Sequence, residues 1–159
     1  MCSTRDTPGG GNDASLGVRL RKLLDGQRLG VLATQDAAGP YTSLLAFAVD
    51  ADGGVLFCTA RDSRKWRNLQ ADPRVALLID DRTHRAEDFD EACAVSLLGD
   101  AGEVRDGMRK ALLVCFTARH AALAAFARSE ETVLFRLIPS RCLVVDRFQR
   151  VREWRGSLV

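Results

Sequence analysis

The sequence predicts a mainly β fold, a small antiparallel barrel or sandwich of six or seven strands with flanking helices. Three observations favour it. Short apolar runs separated by turn residues recur along the chain. Only two stretches, near the N-terminus and after residue 105, have the composition of longer helices. The strands do not alternate regularly with helices, which argues against a doubly wound parallel sheet.

The chain begins with a segment rich in Gly, Thr, Asp and Pro at residues 1–13, which we expect to be a flexible arm before one domain over residues 14–159. A helix is predicted from a cap at Ser15 to about Gln27, with Gly26 at its exit. Its apolar residues recur at helical spacing and are Leu16, Leu20, Leu23 and Leu24.

A strand meander follows the first helix. We predict strands over residues 28–35, 41–50 and 55–60. The segments "DAAGP" at 36–40 and "ADGG" at 51–54 supply the turns between them.

A short helix is predicted next. Asp62 or Ser63 can cap it, and Trp66 and Leu69 are three residues apart, so they can face the core. The helix should end before Pro73, because the residue before a proline avoids the α conformation.

The second half of the chain continues in the same pattern. Strands are predicted over residues 74–81, 93–104 and 132–148, and the polar segment 82–92 reads as a long loop. Residues 106–131 have helical composition, with a break near His120. Gly99 suits a bulge, and Pro139 suits a bend or an edge. The helical stretch has a candidate apolar face made of Leu112, Leu113, Phe116, Leu123 and Phe126.

Composition excludes several classes of function. The net charge is only +2, so nothing favours nucleic-acid binding, which usually needs a strongly basic face. No apolar run approaches the roughly 20 residues that cross a bilayer, and the N-terminus lacks the apolar segment of a secretion signal. We therefore expect a cytoplasmic protein without a membrane partner.

The cysteines and histidines do not predict a metal site. The five cysteines form no CxxC pair, and four of them lie inside apolar runs, as small buried residues do. His84 and His120 are far apart and have no third ligand nearby in the sequence. His84 lies in the long loop, where a surface histidine is the simplest interpretation.

One short segment carries unusual charge. Arg64, Lys65 and Arg67 follow directly after Ser63 in the predicted first turn of the short helix. The positive end of a helix dipole normally favours acidic residues. A bound phosphate would remove this conflict, because it accepts from free N–H groups, from hydroxyls such as Thr59, and from cations. The alternative is a solvated basic helix face without a ligand.

The stretch "FCTARDSRKWRNLQADPRVALL" closely resembles a segment of the pyridoxamine 5'-phosphate oxidase-like FMN-binding split barrels. The shared residues are Thr59, the triplet Ser63-Arg64-Lys65, the pair Asn68-Leu69 and the run Asp72-Pro73-Arg74-Val75. The element order matches over roughly residues 15–153, and the match is specific over 41–81. The resemblance implies an antiparallel split barrel that binds FMN as a homodimer, with the flavin held between two barrels.

The resemblance also implies residue roles. Arg64, Lys65 and Thr59 would bind the FMN phosphate, and Ser63 would assist at the turn. Cys58 replaces an aromatic residue beside the threonine. The strand segment Ser43, Leu44, Leu45 and Ala46, continuing to Ala48, would lie along the flavin ring. No catalytic residue is assigned.

The departures from the vitamin B6 oxidases concern the substrate. Those enzymes carry arginine and lysine where this chain has Ser43 and Ala48, and a glutamine where it has Ala94. Their C-terminal histidine has no match in "QRVREWRGSLV". We therefore do not expect oxidation of pyridoxamine phosphate.

Several functions remain open at this level. An FMN-dependent oxidoreductase with an unidentified small substrate is the first interpretation, since flavin supplies the redox chemistry and the protein orients it. A non-catalytic flavin carrier or sensor is the second. Heme-binding and deazaflavin-using relatives share the barrel and are the third and fourth.

Overall fold

The computed structural model describes residues 14–147 and 150–159, so the predicted arm at 1–13 lies outside the described residues. The elements in chain order are α1 (Ala14–Gly26), β1 (Leu29–Asp36), β2 (Gly39–Val49), β3 (Val55–Ala60), α2 (Arg64–Ala71), β4 (Arg74–Asp80), α3 (Asp88–Glu91), β5 (Cys93–Glu103), α4 (Asp106–Arg119), a 3₁₀ turn (Ala121–Leu123), α5 (Ala124–Arg128), β6 (Thr132–Asp146) and β7 (Arg150–Trp154).

The strands form one antiparallel sheet that closes on itself. The strand order is β3-β2-β1-β4-β5-β6-β7, and an additional pairing of β3 with β6 closes six strands into a barrel. The first half of β6 pairs with β3, and its second half pairs with β7. This is the mainly β barrel with flanking helices that the sequence predicts.

The inside of the barrel is filled by side chains. Phe57 and Phe135 stack with ring centroids 5.5 Å apart across the β3–β6 pair. The other large, fully buried residues of this core include Phe47, Leu32, Leu77, Leu97 and Leu137. A flat heterocycle therefore has no room inside the barrel and must bind on its outside or at an interface.

The helices cover separate faces of the barrel. The four predicted leucines of α1 are all buried, but Ser15 lies inside α1 and is not its cap. Ser63 does cap α2, since its hydroxyl accepts the N–H of Trp66 at 3.1 Å. Helix α4 packs on the outer side of β2 and β3, where Phe116 and Leu56 belong to a second apolar cluster.

One predicted element differs for a local reason, the predicted break near His120 is confirmed, and one predicted strand end lies outside the described residues. The predicted loop at 82–92 contains α3, because the Asp88 carboxylate accepts the N–H groups of Thr83 and His84 and so folds the segment into a turn before the helix. The helical stretch ends at His120 and restarts, and Phe126 is 43% exposed as a result. Phe148, the last residue of the predicted final strand, lies outside the described residues.

The prediction of a bulge at Gly99 is confirmed. The register between β5 and β6 shifts between Leu98 and Gly99, as expected of a bulge. A Cβ atom at Gly99 would collide with the Ile138 backbone, so the close approach at the bulge requires glycine.

In the described part of the chain, no helix is both long and apolar enough to cross a membrane.

Candidate functional site

The barrel is open between β2 and β3 along part of their length. Strand β2 pairs with β1 as far as Ala46 and with β3 only from Phe47 onwards. Beyond Phe57, the segment Cys58–Ala60 pairs with β6 alone. The segments Ser43–Ala46 and Cys58–Ala60 therefore form two facing lips without hydrogen bonds between them. We call the gap between these lips the split.

The β2 lip offers free backbone groups to the split. The N–H of Asp50 donates to Gly54 at 2.8 Å across the β2–β3 turn, so the even-numbered residues of β2 direct their backbone groups towards β3. Alternation along the strand then directs the N–H and C=O groups of Leu44 and Ala46 into the split. These groups are available to a ligand that has donors and acceptors along one edge.

The four side chains of the β2 lip differ in burial and in polarity. Leu45 is a core residue, and Leu44 is 65% exposed on the outer face. Ala46 is partly buried against the outer cluster. Ser43 is the polar member of the lip, and its Oγ atom is buried without a hydrogen-bond partner in the part of the chain that the structure describes. An unpaired buried hydroxyl is uncommon, and a ligand in the split would explain it.

The hydroxyls of Thr59 and Ser63 meet at the end of the β3 lip. Thr59 is buried, and its Oγ1 lies 2.8 Å from Ser63 Oγ. Ser63 Oγ donates its proton to the Ala60 carbonyl at 2.8 Å, so Thr59 is the donor within the hydroxyl pair. We call the place where β3 leads into α2, beside these two hydroxyls, the corner. An anion bound at this corner would accept the Thr59 proton in place of Ser63.

Lys65 is the cation at this corner that lacks a partner. Its side chain is half-buried, and burial lowers the pKa of its ammonium group. Within residues 14–147 and 150–159 it makes no hydrogen bond or ion pair, and neither Arg64 nor Lys65 has an acceptor for its backbone N–H. A half-buried charge is costly without a counter-ion. The corner therefore fits a phosphate.

Arg64 points away from Lys65. Its guanidinium contacts Asp36 Oδ2 from Nη2 at 3.0 Å and from Nε at 3.1 Å, and it lies 4.7 Å from the centroid of the Tyr41 ring. The structure thus brings Thr59 and Ser63 together and leaves Lys65 free, but it engages Arg64 with the β1–β2 turn. Its role towards a phosphate remains a prediction.

Cys58 does not act as a nucleophile in this environment. Burial raises the pKa of its thiol to about 12, and the nearby Arg109 opposes this only weakly. The thiol is therefore protonated at neutral pH and packs as a small apolar residue. Its place on the β3 lip makes it part of the wall of the split.

The two histidines have different environments. His84 is exposed and adopts a positive φ of 62° in the segment before α3. His120 is buried at the end of α4, and its Nε2 lies 2.7 Å from the Phe47 carbonyl, just past the β2 lip. Sequence reasoning missed this contact. The only sequence signal for it was the break in the helical pattern at His120.

A cavity of about 560 Å³ opens beside the β2 lip. His120, Ala46, Leu29 and the 3₁₀ turn between α4 and α5 contribute to its lining. Among the described residues no group of three or more His, Cys, Asp or Glu side chains can hold a metal ion.

Comparison with known proteins gives one match to a family model and none to the curated proteins. A family model described as pyridoxamine 5'-phosphate oxidase matches residues 17–155, most of the chain. The curated proteins give no significant match.

Solved structures with the same fold differ in what they bind. A heme binding protein from Mycobacterium smegmatis matches with a TM-score of 0.78 and 18% identity, over 98% of this chain and 60% of its own. The chain therefore spans less than two thirds of that protein. A FAD-binding protein from Mesorhizobium loti matches with a TM-score of 0.64 and 19% identity, over 80% and 90%. The heme storage protein HutZ from Vibrio cholerae matches with a TM-score of 0.68 and 20% identity, over 81% and 90%.

Proposed function

The chain belongs to the pyridoxamine 5'-phosphate oxidase family, and from this premise we propose that it binds FMN in the split and is a flavin-dependent oxidoreductase. The observation that supports the proposal is the position of the nine sequence-predicted residues along the two lips of the split and at the start of α2. Ser43, Leu44, Leu45 and Ala46 form one lip, Cys58 and Thr59 belong to the other, and Ser63, Arg64 and Lys65 follow at its end.

The proposed contacts divide the cofactor into two parts. The phosphate would bind Arg64, Lys65, the Thr59 hydroxyl and the free N–H groups at the start of α2, because these groups are positive or donors, and Ser63 would assist at the turn as the cap of α2. The backbone groups of Leu44 and Ala46 and the unpaired Ser43 hydroxyl would bind the edge of the ring. Bound flavin supplies the redox chemistry, and the residues of the split orient it and limit water access.

The substrate is proposed to differ from pyridoxamine phosphate. Ser43 and Ala48 stand where the vitamin B6 oxidases carry charged residues. Neither residue can bind a substrate phosphate as a cation does. We propose a small, less charged substrate. A carrier or sensor role without turnover is the alternative, and reduction of the bound flavin by a nicotinamide cofactor in stopped flow separates the two.

A homodimer would complete the site. Val31 lies opposite Leu44 on one side and opposite Leu78 on the other, so these three side chains share the outer face of the sheet. Leu44 and Leu29 are 65% and 52% exposed on that face. Exposed apolar patches of this kind mark interfaces. A second copy seated there would supply the wall that the filled barrel cannot supply.

Heme is the second candidate cofactor, because two of the similar structures are a heme binding protein and a heme storage protein. An iron ligand in this chain would be a histidine or a cysteine. His120 Nε2 already contacts Phe47, whereas His84 is exposed. The absorption spectrum of the purified protein distinguishes flavin, heme and deazaflavin directly.

The phosphate site can be tested by comparing two ligands. Arg64→Ala combined with Lys65→Ala should weaken FMN binding by about a hundredfold or more, since each charge-assisted hydrogen bond contributes about 1.5–3 kcal/mol. The affinity for riboflavin, which lacks the phosphate, should stay the same. Arg67→Ala is the matched control, because Arg67 lies on the same helix and its guanidinium donates to the carbonyl of Asp62, just before α2. Unchanged FMN affinity in the double variant would refute the proposal.

A further inference from the structure

We propose that the cavity beside the β2 lip binds a small molecule with an apolar body and one hydroxyl or N–H donor, and that His120 recognises this donor. His120 would then determine specificity at this site. The additional inference that this small molecule is the substrate of the bound flavin rests on the proposed function. Recognition of the donor by His120 is independent of it.

The cavity has a mixed but ordered lining. Its apolar wall consists of Leu29, Ala46, Leu123 and alanines at the α4–α5 connection, and its polar residues are Arg28, Arg119 and His120. A volume of about 560 Å³ suits a molecule with one or two rings. None of the lining residues that the structure describes is a carboxylate.

The hydrogen bond to Phe47 fixes the tautomer of His120. Its Nε2 lies 2.7 Å from the Phe47 carbonyl oxygen, and a carbonyl oxygen only accepts. Nε2 therefore carries the proton. In the neutral ring Nδ1 is then an acceptor. The ring is also held by Phe116, with centroids 4.9 Å apart, so its orientation is fixed.

Nδ1 of His120 remains available to a ligand. It accepts no hydrogen bond from the described residues. It is also not among the fully buried polar atoms that lack a partner, a set that includes Arg119 Nε. An atom that is neither paired nor fully buried has access to space, and the space that His120 lines is this cavity.

The two arginines cannot replace His120 in this role. Nη2 of Arg119 donates to the carbonyls of Leu24, Asp25 and Gln27 at the end of α1. Arg28 donates to the Arg119 carbonyl at 2.8 Å. Guanidinium groups are donors only, so His120 is the single side-chain acceptor among the described residues that line this cavity. Recognition of a ligand donor by a side chain therefore falls to one atom.

The position of the cavity relates it to the split. Ala46 lines the cavity and also belongs to the β2 lip. A molecule bound beside His120 would therefore lie next to the strand segment that is proposed to follow the flavin ring. This is the arrangement that a substrate site requires, with the donor held and the apolar body against the lip.

Nuclear magnetic resonance tests the proposal on the full chain. The sequence has only two histidines, so ¹⁵N-histidine labelling gives few signals, and His84→Gln assigns them. Phenol and anisole serve as probes, because they have similar shapes and only phenol has a donor. Phenol should shift the His120 Nδ1 resonance and bind about fivefold more tightly than anisole. His120→Phe should remove this preference, whereas His84→Phe should retain it.

The outcomes separate the two proposals. Equal binding of the two probes, no binding of either, or an unmoved His120 Nδ1 signal would overturn the role of His120. The labelled wild-type measurement decides this even if His120→Phe does not fold. The titration is repeated with the protein without cofactor and after addition of excess FMN. Phenol preference without any FMN binding would refute the proposed function while supporting the His120 site.

Discussion

Arg64 and Asp36 form an ion pair, with Nη2 and Oδ2 3.0 Å apart, that joins the start of α2 to the β1–β2 turn. The N–H of Ala38 and the guanidinium of Arg64 together lower the pKa of the Asp36 carboxyl, so it is ionised at neutral pH. A phosphate at the corner near Lys65 must therefore compete with this carboxylate for Arg64. Removing the Asp36 charge tests the FMN site by freeing a cation. The Arg64 and Lys65 substitutions test it by removing cations.

We expect Asp36→Asn to strengthen FMN binding several-fold, because Arg64 would lose its ionic partner and become available to the phosphate. Riboflavin affinity should not change. Fluorescence titration of the protein without cofactor measures both. Glu103→Gln is the control, since Glu103 pairs with the exposed Arg61 at 3.2 Å in the same kind of surface contact. Weaker or unchanged FMN binding in Asp36→Asn would mean that Arg64 stays with the turn and does not bind the phosphate.

Ser43→Ala should separate cofactor binding from stability. The Ser43 hydroxyl is buried without a partner, so its removal should leave the melting temperature of the cofactor-free protein unchanged or slightly raised. If the hydroxyl binds the flavin edge, FMN and riboflavin should both bind about fivefold more weakly. Ser140→Ala is a control on β6, where the Ser140 hydroxyl donates to the Leu98 carbonyl at 3.2 Å. A clear loss of stability without FMN would indicate a structural role instead.

The local parts of the site could be predicted from the sequence. The end of β3, the Ser63 cap and the end of α2 before Pro73 depend on residues close together in the chain, and all three are confirmed. The strand pattern predicted a small antiparallel barrel or sandwich, and the resemblance of one segment selected the split barrel. These features need no knowledge of distant contacts.

The features that the sequence did not predict depend on contacts between residues far apart in the chain or on a break in a helix. His120 and Phe47 are 73 residues apart, and Arg64 and Asp36 are 28 apart, so no local pattern indicates either contact. The sequence predicts the break near His120 but also places Phe126 on one apolar face with Leu112, Leu113 and Phe116. Because the chain breaks at His120 and restarts, the helical spacing does not continue through the break, and Phe126 is exposed.

Leu78→Glu should prevent dimer formation and weaken FMN binding together. Leu78 lies between Val31 and Ser96 on the outer face of the sheet, so a carboxylate there would be buried in the proposed interface. Light scattering after size-exclusion chromatography measures the mass, and flavin titration measures affinity. Val18→Glu is the control, because Val18 is 60% exposed on α1. A dimeric Leu78→Glu protein would place the interface elsewhere.

Asp50 and Arg136 form an ion pair at the end of β2, far from the β1–β2 turn that contacts Arg64. This pair leads to a prediction about stability. Asp50 Oδ2 lies 2.6 Å from Arg136 Nε, and Asp50 Oδ1 accepts the N–H groups of Asp52 and Gly54. Burial alone would raise the pKa of the Asp50 carboxyl, but these hydrogen bonds outweigh burial and lower it. The carboxylate is therefore a stabilising group that acts in its ionised form.

We expect Asp50→Ala to lower the free energy of unfolding by roughly 3 kcal/mol, because a partly buried Arg136 and two N–H groups would lose their partner. Asp52→Ala is the matched control. Asp52 lies 3.4 Å from the same guanidinium, but its side chain is 86% exposed, so we expect a loss below about 0.5 kcal/mol. Urea denaturation at neutral pH measures both. Equal losses in the two variants would mean that burial does not strengthen the Asp50 pair.

The same pair predicts a pH dependence with a definite sign. A carboxyl whose pKa is lowered on folding contributes stability above its unfolded pKa, and this contribution is lost as the pH falls through the lowered value in the folded state. The difference in unfolding free energy between wild type and Asp50→Ala should therefore be constant from pH 7 to about 5 and should shrink below about pH 4. Urea titrations across this range measure it. A difference that stays constant down to pH 2 would show that the ionised carboxylate is not the source of the stabilisation.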